Sequence, residues 1–165
     1  MSGLPPSTTV IALASDHAGV ALRRLLMREL HSAGHEILDL GPADDASVDY
    51  PLFAAELAAA MASGRAERGI LVCGSGIGMS IAANRFPHIR AALCRDAEDS
   101  RLARRHNDAN VLVLGARRDG GAAALDCLRA FLDTGFEGGR HARRVAMLTE
   151  NTVPASGAAL HGKDA

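Results

Sequence analysis

The sequence predicts an α/β domain, a three-layer αβα sandwich around a five-stranded parallel, Rossmann-like sheet. Three features carry that expectation. Short apolar runs bounded by turn residues alternate with longer segments of helical period, the pattern of repeated strand–helix units. The 165 residues are 48% hydrophobic and 22% charged, which supplies one apolar core. Polar and glycine-rich turns follow the predicted strands, where open parallel sheets hold their ligands.

The first strand is expected at Val10 to Ser15. Leu22, Leu25, Leu26 and Leu30 then recur at three- and four-residue steps, one apolar stripe on a helix that Gly34 stops. Glu36 to Leu40 reads as the second strand, closed by Gly41-Pro42. An acidic loop, Ala43 to Asp49, leads to Pro51, which suits a first helical turn, and an Ala-rich helix runs to Ser63 with Gly64 as its stop. Ile70 to Cys73 is the third strand. The turn Gly74 to Gly78 opens a helix through Ala83, and Pro87 ends it before a fourth strand at Ile89 to Cys94. Asp96 caps a helix to about His106, Val111 to Leu114 is the fifth strand, and Asp119 to Leu132 is helical. After Gly138-Gly139, Val145, Ala146 and Leu148 mark a last helix. Residues 1–9 are expected to be flexible, 10–150 to form the domain, and 151–165 to be a mobile tail of small residues.

Composition narrows the function classes. A formal net charge of −1 gives no global attraction to nucleic acid or anionic membranes, so an anionic ligand needs a local cluster. Aromatics at 3% with no Trp offer no stacking platforms for single strands. Cys73, Cys94 and Cys127 are odd in number and form no CxxC pair, which argues for a reducing compartment. Met1 to Thr9 carries no Lys or Arg, and the apolar run that follows is too short for a signal or a span. A cytoplasmic protein is expected, with neither nucleic acid nor membrane as partner.

Several residues carry candidate chemistry. Cys73-Gly74-Ser75-Gly76-Ile77-Gly78 links a strand to a helix, so backbone N–H groups can approach a negative ligand. Met79 stands where a dinucleotide fingerprint starting at Gly74 needs glycine, which disfavours a nicotinamide cofactor. The thiol of Cys73 faces a helix start whose dipole favours thiolate, so a base and an inert buried cysteine are both open readings. Cys94 and Cys127 lack such a loop and read as core residues.

Asp16 and His17, at the end of the first strand, face the same crevice; Asp16 is either a ligand contact or an N-cap. His106 ends a helix, where a histidine can simply complement the dipole. Arg140 and Arg144 share one face at the start of the last helix, either awaiting an anion or forming a solvated basic face. His31 and His35 have helical spacing, but Gly34 separates them and no acidic residue completes a metal set, so they read as surface residues. No zinc-type ligand spacing is present in the sequence, and neither metal nor cofactor is expected.

Taken together, Ser15-Asp16-His17-Ala18-Gly19, Asp49-Tyr50-Pro51, Cys73 to Gly78, Ala82-Ala83-Asn84, His106-Asn107-Asp108-Ala109-Asn110 and Gly138-Gly139-Arg140-His141 resemble the ribose-5-phosphate isomerase B and galactose-6-phosphate isomerase family over about residues 10–148. The resemblance implies an aldose–ketose isomerase of a small sugar phosphate, with ribose 5-phosphate and ribulose 5-phosphate as the pair. It implies that Cys73 moves the proton between C1 and C2 and that His106 opens the furanose ring. Asp16 and His17 would line the site, and the N–H groups of Gly74, Ser75, Gly76, Ile77 and Gly78 would hold an enediolate. Ser75 and Asn107 would touch sugar oxygens, while Arg117, Arg140 and Arg144 would meet the phosphate end. Met79 lies where some members carry a glutamate base, which points to the cysteine-dependent branch. The family also implies a homodimer in which His106 and Cys73 of one site come from different chains. The same mechanism on allose or galactose 6-phosphate or a four-carbon ketose phosphate, a non-catalytic sugar-phosphate-binding subunit, and a nucleotide-binding regulatory domain are the alternatives.

Overall fold

The computed structural model describes residues 9–118 and 120–149; the expected mobile tail, Asp119 and all of the N-terminal stretch but Thr9 lie outside them. Five strands, β1 (Val10–Ser15), β2 (Glu36–Asp39), β3 (Arg68–Cys73), β4 (Ala91–Leu93) and β5 (Val111–Gly115), form one parallel sheet in the order β2-β1-β3-β5-β4. Six helices connect and flank them: α1 (Val20–Ser32), α2 (Tyr50–Ala62), α3 (Ile77–Ala83), α4 (Ala97–Asn107), α5 (Gly120–Asp133) and α6 (Arg140–Thr149).

Alternation along the central strands explains the layers, since successive side chains of a strand point to opposite faces. Ile11, Leu13, Ile70, Val72, Leu112 and Leu114 pack with Leu22, Leu26 and Leu30 of α1, Ala103 of α4 and Leu128 and Phe131 of α5. Ala12, Ala14, Leu71, Val111 and Val113 face the other way, against Ala54, Leu57 and Ala58 of α2 and Met79 and Ala83 of α3. The three strands buried on both faces therefore read as continuous apolar runs.

The expected elements appear with shifted ends. The strand expected over Ile89 to Cys94 shrinks to Ala91–Leu93 because it lies at the sheet edge and pairs with β5 alone. Asn84 closes that edge: its side-chain amide donates to the Ala91 carbonyl and its oxygen accepts from the Ala91 N–H, both at 2.8 Å. Gly34 and Gly64 both have positive φ just beyond the helices they were expected to stop.

The topology positions the site. From β1 the chain goes to one side of the sheet through α1 and β2, then returns through α2 to β3 on the other side of β1. That reversal opens a crevice between the carboxyl ends of β1 and β3.

Candidate active site

Cys73 ends β3 at the crevice, 5% exposed, and its Sγ accepts a hydrogen bond from the Gly76 N–H at 3.1 Å. This contact requires the chain to turn sharply at Gly76, which has φ +78°. A Cβ there would meet Leu93 and the Leu114 backbone, so glycine alone fits both the conformation and the space. The Ser75 hydroxyl accepts from the Ile77 N–H at 3.3 Å at the start of α3.

Asp16 follows β1 and is 8% exposed; its Oδ1 accepts from the Gly19 N–H at 3.0 Å, so the capping role is real and one carboxylate oxygen is engaged in it. Gly19 lets this turn lie against β3, since a Cβ would stand 2.8 Å from the Val72 carbonyl oxygen. Nδ1 of His17 accepts from the Val48 N–H at 3.3 Å, which ties the acidic loop to the crevice. Arg117 follows β5 and lies over Gly74, its guanidinium carbon 3.3 Å from where a Cβ would stand. Asp16, His17, Cys73, Gly74, Ser75, Gly78 and Arg117 thus line one crevice of about 350 Å³, with Tyr50, Ala18 and Arg118 completing its wall.

Two of the loop residues expected to bind ligand do not face that space. Gly76 turns inward and commits its N–H to Cys73, while the Ile77 side chain is 50% exposed and its N–H is taken by Ser75. Neither residue lines the crevice.

Buried Arg23 braces the crevice from behind. One guanidinium nitrogen donates to Ser15 Oγ at 3.0 Å and another to the Pro42 carbonyl at 2.6 Å, joining the end of β1 to the loop after β2. Its Nε lies 3.2 Å from Asp39 Oδ1, near enough for Coulomb attraction although its N–H is not aimed well enough to count as a hydrogen bond. Burial lowers the pKa of this guanidinium, and Asp39 opposes the shift.

The remaining predicted residues lie elsewhere. His106 and Asn107 end α4, which leaves the carboxyl end of β4 and returns to the amino end of β5; Cys73 is at the carboxyl end of β3. Eleven residues of helix separate those levels by roughly 16 Å. Arg140 and Arg144 start α6, which packs on α4 beside His106. One chain therefore presents two half-sets: the thiol, Asp16, His17 and Arg117 in the crevice, and His106, Asn107, Arg140 and Arg144 at the opposite end of the sheet.

The second set contains two residues that sequence reasoning passed over. His141 is buried and stacks on His106, ring centroids 4.4 Å apart and planes within 11°. Glu137 Oε2 lies 3.7 Å from His106 Nε2 and 3.9 Å from His141 Nε2, while its other oxygen accepts from Arg105 Nε at 2.5 Å. The Arg105 hydrogen bond holds the Glu137 carboxyl below its usual range. Burial lowers the His141 pKa first, and the neighbouring charges of His106 and Arg140 push the same way. The run Gly138-Gly139-Arg140-His141 was the available signal for His141; for Glu137 the sequence offered none.

A doubly wound sheet with a thiol and a cationic crevice at its switch point defines an enzyme-like site for a small anionic metabolite. Comparison with known proteins gives the particular family. Residues 11–148 match the family model described as Ribose/Galactose Isomerase. Ribose-5-phosphate isomerase B of Escherichia coli is 42% identical over 139 residues, covering 84% of this chain and 93% of that protein. A solved structure of the Clostridium thermocellum ribose-5-phosphate isomerase B superposes with a TM-score of 0.84 at 46% identity, covering 86% of this chain and 96% of that one. The Trypanosoma brucei type B enzyme superposes equally well, TM-score 0.84 at 44% identity, with 87% and 99% covered. The chain belongs to the ribose/galactose isomerase family and is a sugar-phosphate isomerase.

Proposed function

We propose that the protein interconverts ribose 5-phosphate and ribulose 5-phosphate through a cis-enediolate, in sites built from two copies of the chain. The observation that carries this reading is the separation of the half-sets: the thiol lies in one crevice, and the imidazole and two arginines needed beside it lie at the far end of the same protomer. A second copy supplies what the first lacks.

The chemistry follows from the residues. His106 exchanges protons with the ring oxygen and the C1 hydroxyl, opening the furanose to the aldehyde. The Cys73 sulfur removes the proton from C2 and electrons move onto the C1 oxygen; the hydroxyl proton on O2 then passes to O1, and the enediolate takes the sulfur-held proton back at C1 as the C2 carbonyl forms. Ser75 and the Gly74 and Gly78 end of the loop face the charge that develops on the oxygens, a preorganised stabilisation of the oxyanion kind. Asp16 and His17 wall the site, Asn107 contacts a sugar hydroxyl, and Arg117, Arg140 and Arg144 hold the phosphate end. Cys73, Cys94 and Cys127 form no disulfide among the described residues, which fits a reducing, cytoplasmic setting.

A panel of four-, five- and six-carbon sugar phosphates, ranked by kcat/KM, tests the assignment. Ribose 5-phosphate is expected to lead, with turnover unchanged by EDTA because the proposed steps use only side chains. A six-carbon substrate leading the panel reassigns the sugar. Loss of turnover on chelation, with recovery on adding a divalent ion, removes the mechanism.

A further inference from the structure

The proposed chemistry uses His106 and leaves Glu137 and His141 without a task, yet their free ligand atoms converge on it. One ring nitrogen each of His106 and His141 and a Glu137 carboxylate oxygen all lie within 4.8 Å of one another, and Glu137 Oε2 is 3.7 Å from His106 Nε2 and 3.9 Å from His141 Nε2. The three come from different elements: the last turn of α4, the loop before α6, and the first turn of α6. Their docking is fixed, because the Glu137 N–H donates to the Arg105 carbonyl at 3.1 Å and the Arg105 side chain holds Glu137 Oε1. An outer partner that occupies one carboxylate oxygen and aims the other is the usual second layer of a metal site.

Two imidazoles and a carboxylate are a set that zinc takes, at bonds of about 2.0–2.2 Å, which puts tetrahedral ligand atoms about 3.4 Å apart. The two carboxylate–imidazole spacings close to that value if Glu137, partly exposed, swings by a few tenths of an ångström, while the two ring nitrogens, within 4.8 Å of each other, need partly exposed His106 to move towards buried His141 by up to about 1.4 Å. Because the rings are stacked within 11° of parallel, an ion held by both nitrogens would sit at their common edge beside Oε2, and the more exposed His106 ring would have to turn out of the stack to aim its lone pair. Arg140 and Arg144 oppose any cation here. That selects ions that bond strongly to nitrogen, the zinc and copper class, over magnesium or calcium, which depend on charge and oxygen donors.

We propose that His106, Glu137 and His141 form a binding site for a divalent ion of the zinc class, and that filling it withholds His106 from the substrate, so that the ion inhibits. The binding half stands on geometry alone; the inhibitory half rests on the ring-opening role assigned to His106.

Cobalt(II) serves as the probe on chelator-treated full-length protein, followed by absorption and calorimetry. One ion per protomer is expected, with four-coordinate ligand-field bands, no thiolate charge-transfer band, and displacement by zinc. Zinc should inhibit isomerisation of a cyclic pentose phosphate, and excess chelator should restore it. Glu137→Gln, at an exposed position, should weaken cobalt binding by roughly tenfold or more. His141→Asn should do the same, its fold checked by thermal unfolding, and Cys73→Ser should bind as wild type does. A charge-transfer band, or binding lost in Cys73→Ser and kept in Glu137→Gln, places the ion on the thiol and overturns the site. Binding with the expected ligands but no inhibition leaves the metal site standing and removes the ring-opening role from His106.

Discussion

Cys73 and Cys94 are both buried cysteines at strand ends, and their surroundings set different chemistry. Cys73 opens onto the crevice with an amide donor on its sulfur. Cys94 is 1% exposed, and burial pushes its thiol up to about 12, partly offset by a hydrogen bond with Ser100. Alkylation at neutral pH should therefore label Cys73 and spare Cys94 and Cys127, and a sugar phosphate should block it. Cys73→Ser should lower turnover by about 10²–10⁴-fold with little change in substrate affinity, since a hydroxyl is a poor base near neutral pH. Turnover like wild type would make Cys73 structural. Cys94 leaves its mark on stability instead. Its folded pKa is raised, so its contribution is complete below the unfolded value of about 8.5 and is lost as pH climbs towards 12. Between pH 8.5 and 11, Cys94→Ala should lose less Tm than wild type does, whatever its starting stability. Parallel Tm curves would show that the thiol does not titrate late.

The turn from β3 into α3 is where backbone geometry and chemistry meet. Gly76→Ala adds a Cβ at φ +78° against Leu93 and Leu114, and should cost about 2 kcal/mol or more in urea unfolding and also turnover, because the Gly76 N–H holds Sγ. Gly34→Ala is the control: φ is +82°, nothing lies within 4 Å, and only the backbone penalty of about 1 kcal/mol applies, with turnover kept. Equal losses in the two variants would mean that the loop has room. At this scale the sequence was most legible. β1 runs over its expected residues, and the Asp96 side chain caps α4 by accepting from the Asp99 N–H at 2.8 Å. Both are set by local pattern. Strand β4 falls short of its apolar run because pairing, which is not local, decides where an edge strand stops. His106, Glu137 and His141 were illegible as a set for the same reason: only the docking of α6 on α4 brings them together. Asp16 reads two ways in sequence because one carboxylate can cap a turn and wall a site, and here it does both.

On the scale of the whole molecule, the parallel sheet itself keeps Cys73 and His106 apart, since a helix that returns from the carboxyl to the amino end of a strand must finish on the far side of the domain from a residue at a strand's carboxyl end. No side-chain rotation bridges that gap. If catalysis needs both residues, each site takes its thiol from one copy and its imidazole from another, and two inactive variants can repair one another. Cys73→Ser and His106→Asn, purified separately, should each be nearly inactive on ribose 5-phosphate. Unfolded together and refolded as an equal mixture, half the dimers pair one of each variant. Each such dimer has one site with both residues intact and one with neither, so about a quarter of wild-type activity should return. The recovered activity should rise with time of subunit exchange if the folded dimers are mixed instead. A site contained within one chain gives no recovery at any mixing ratio, and that result would remove the two-copy site while leaving the family assignment untouched.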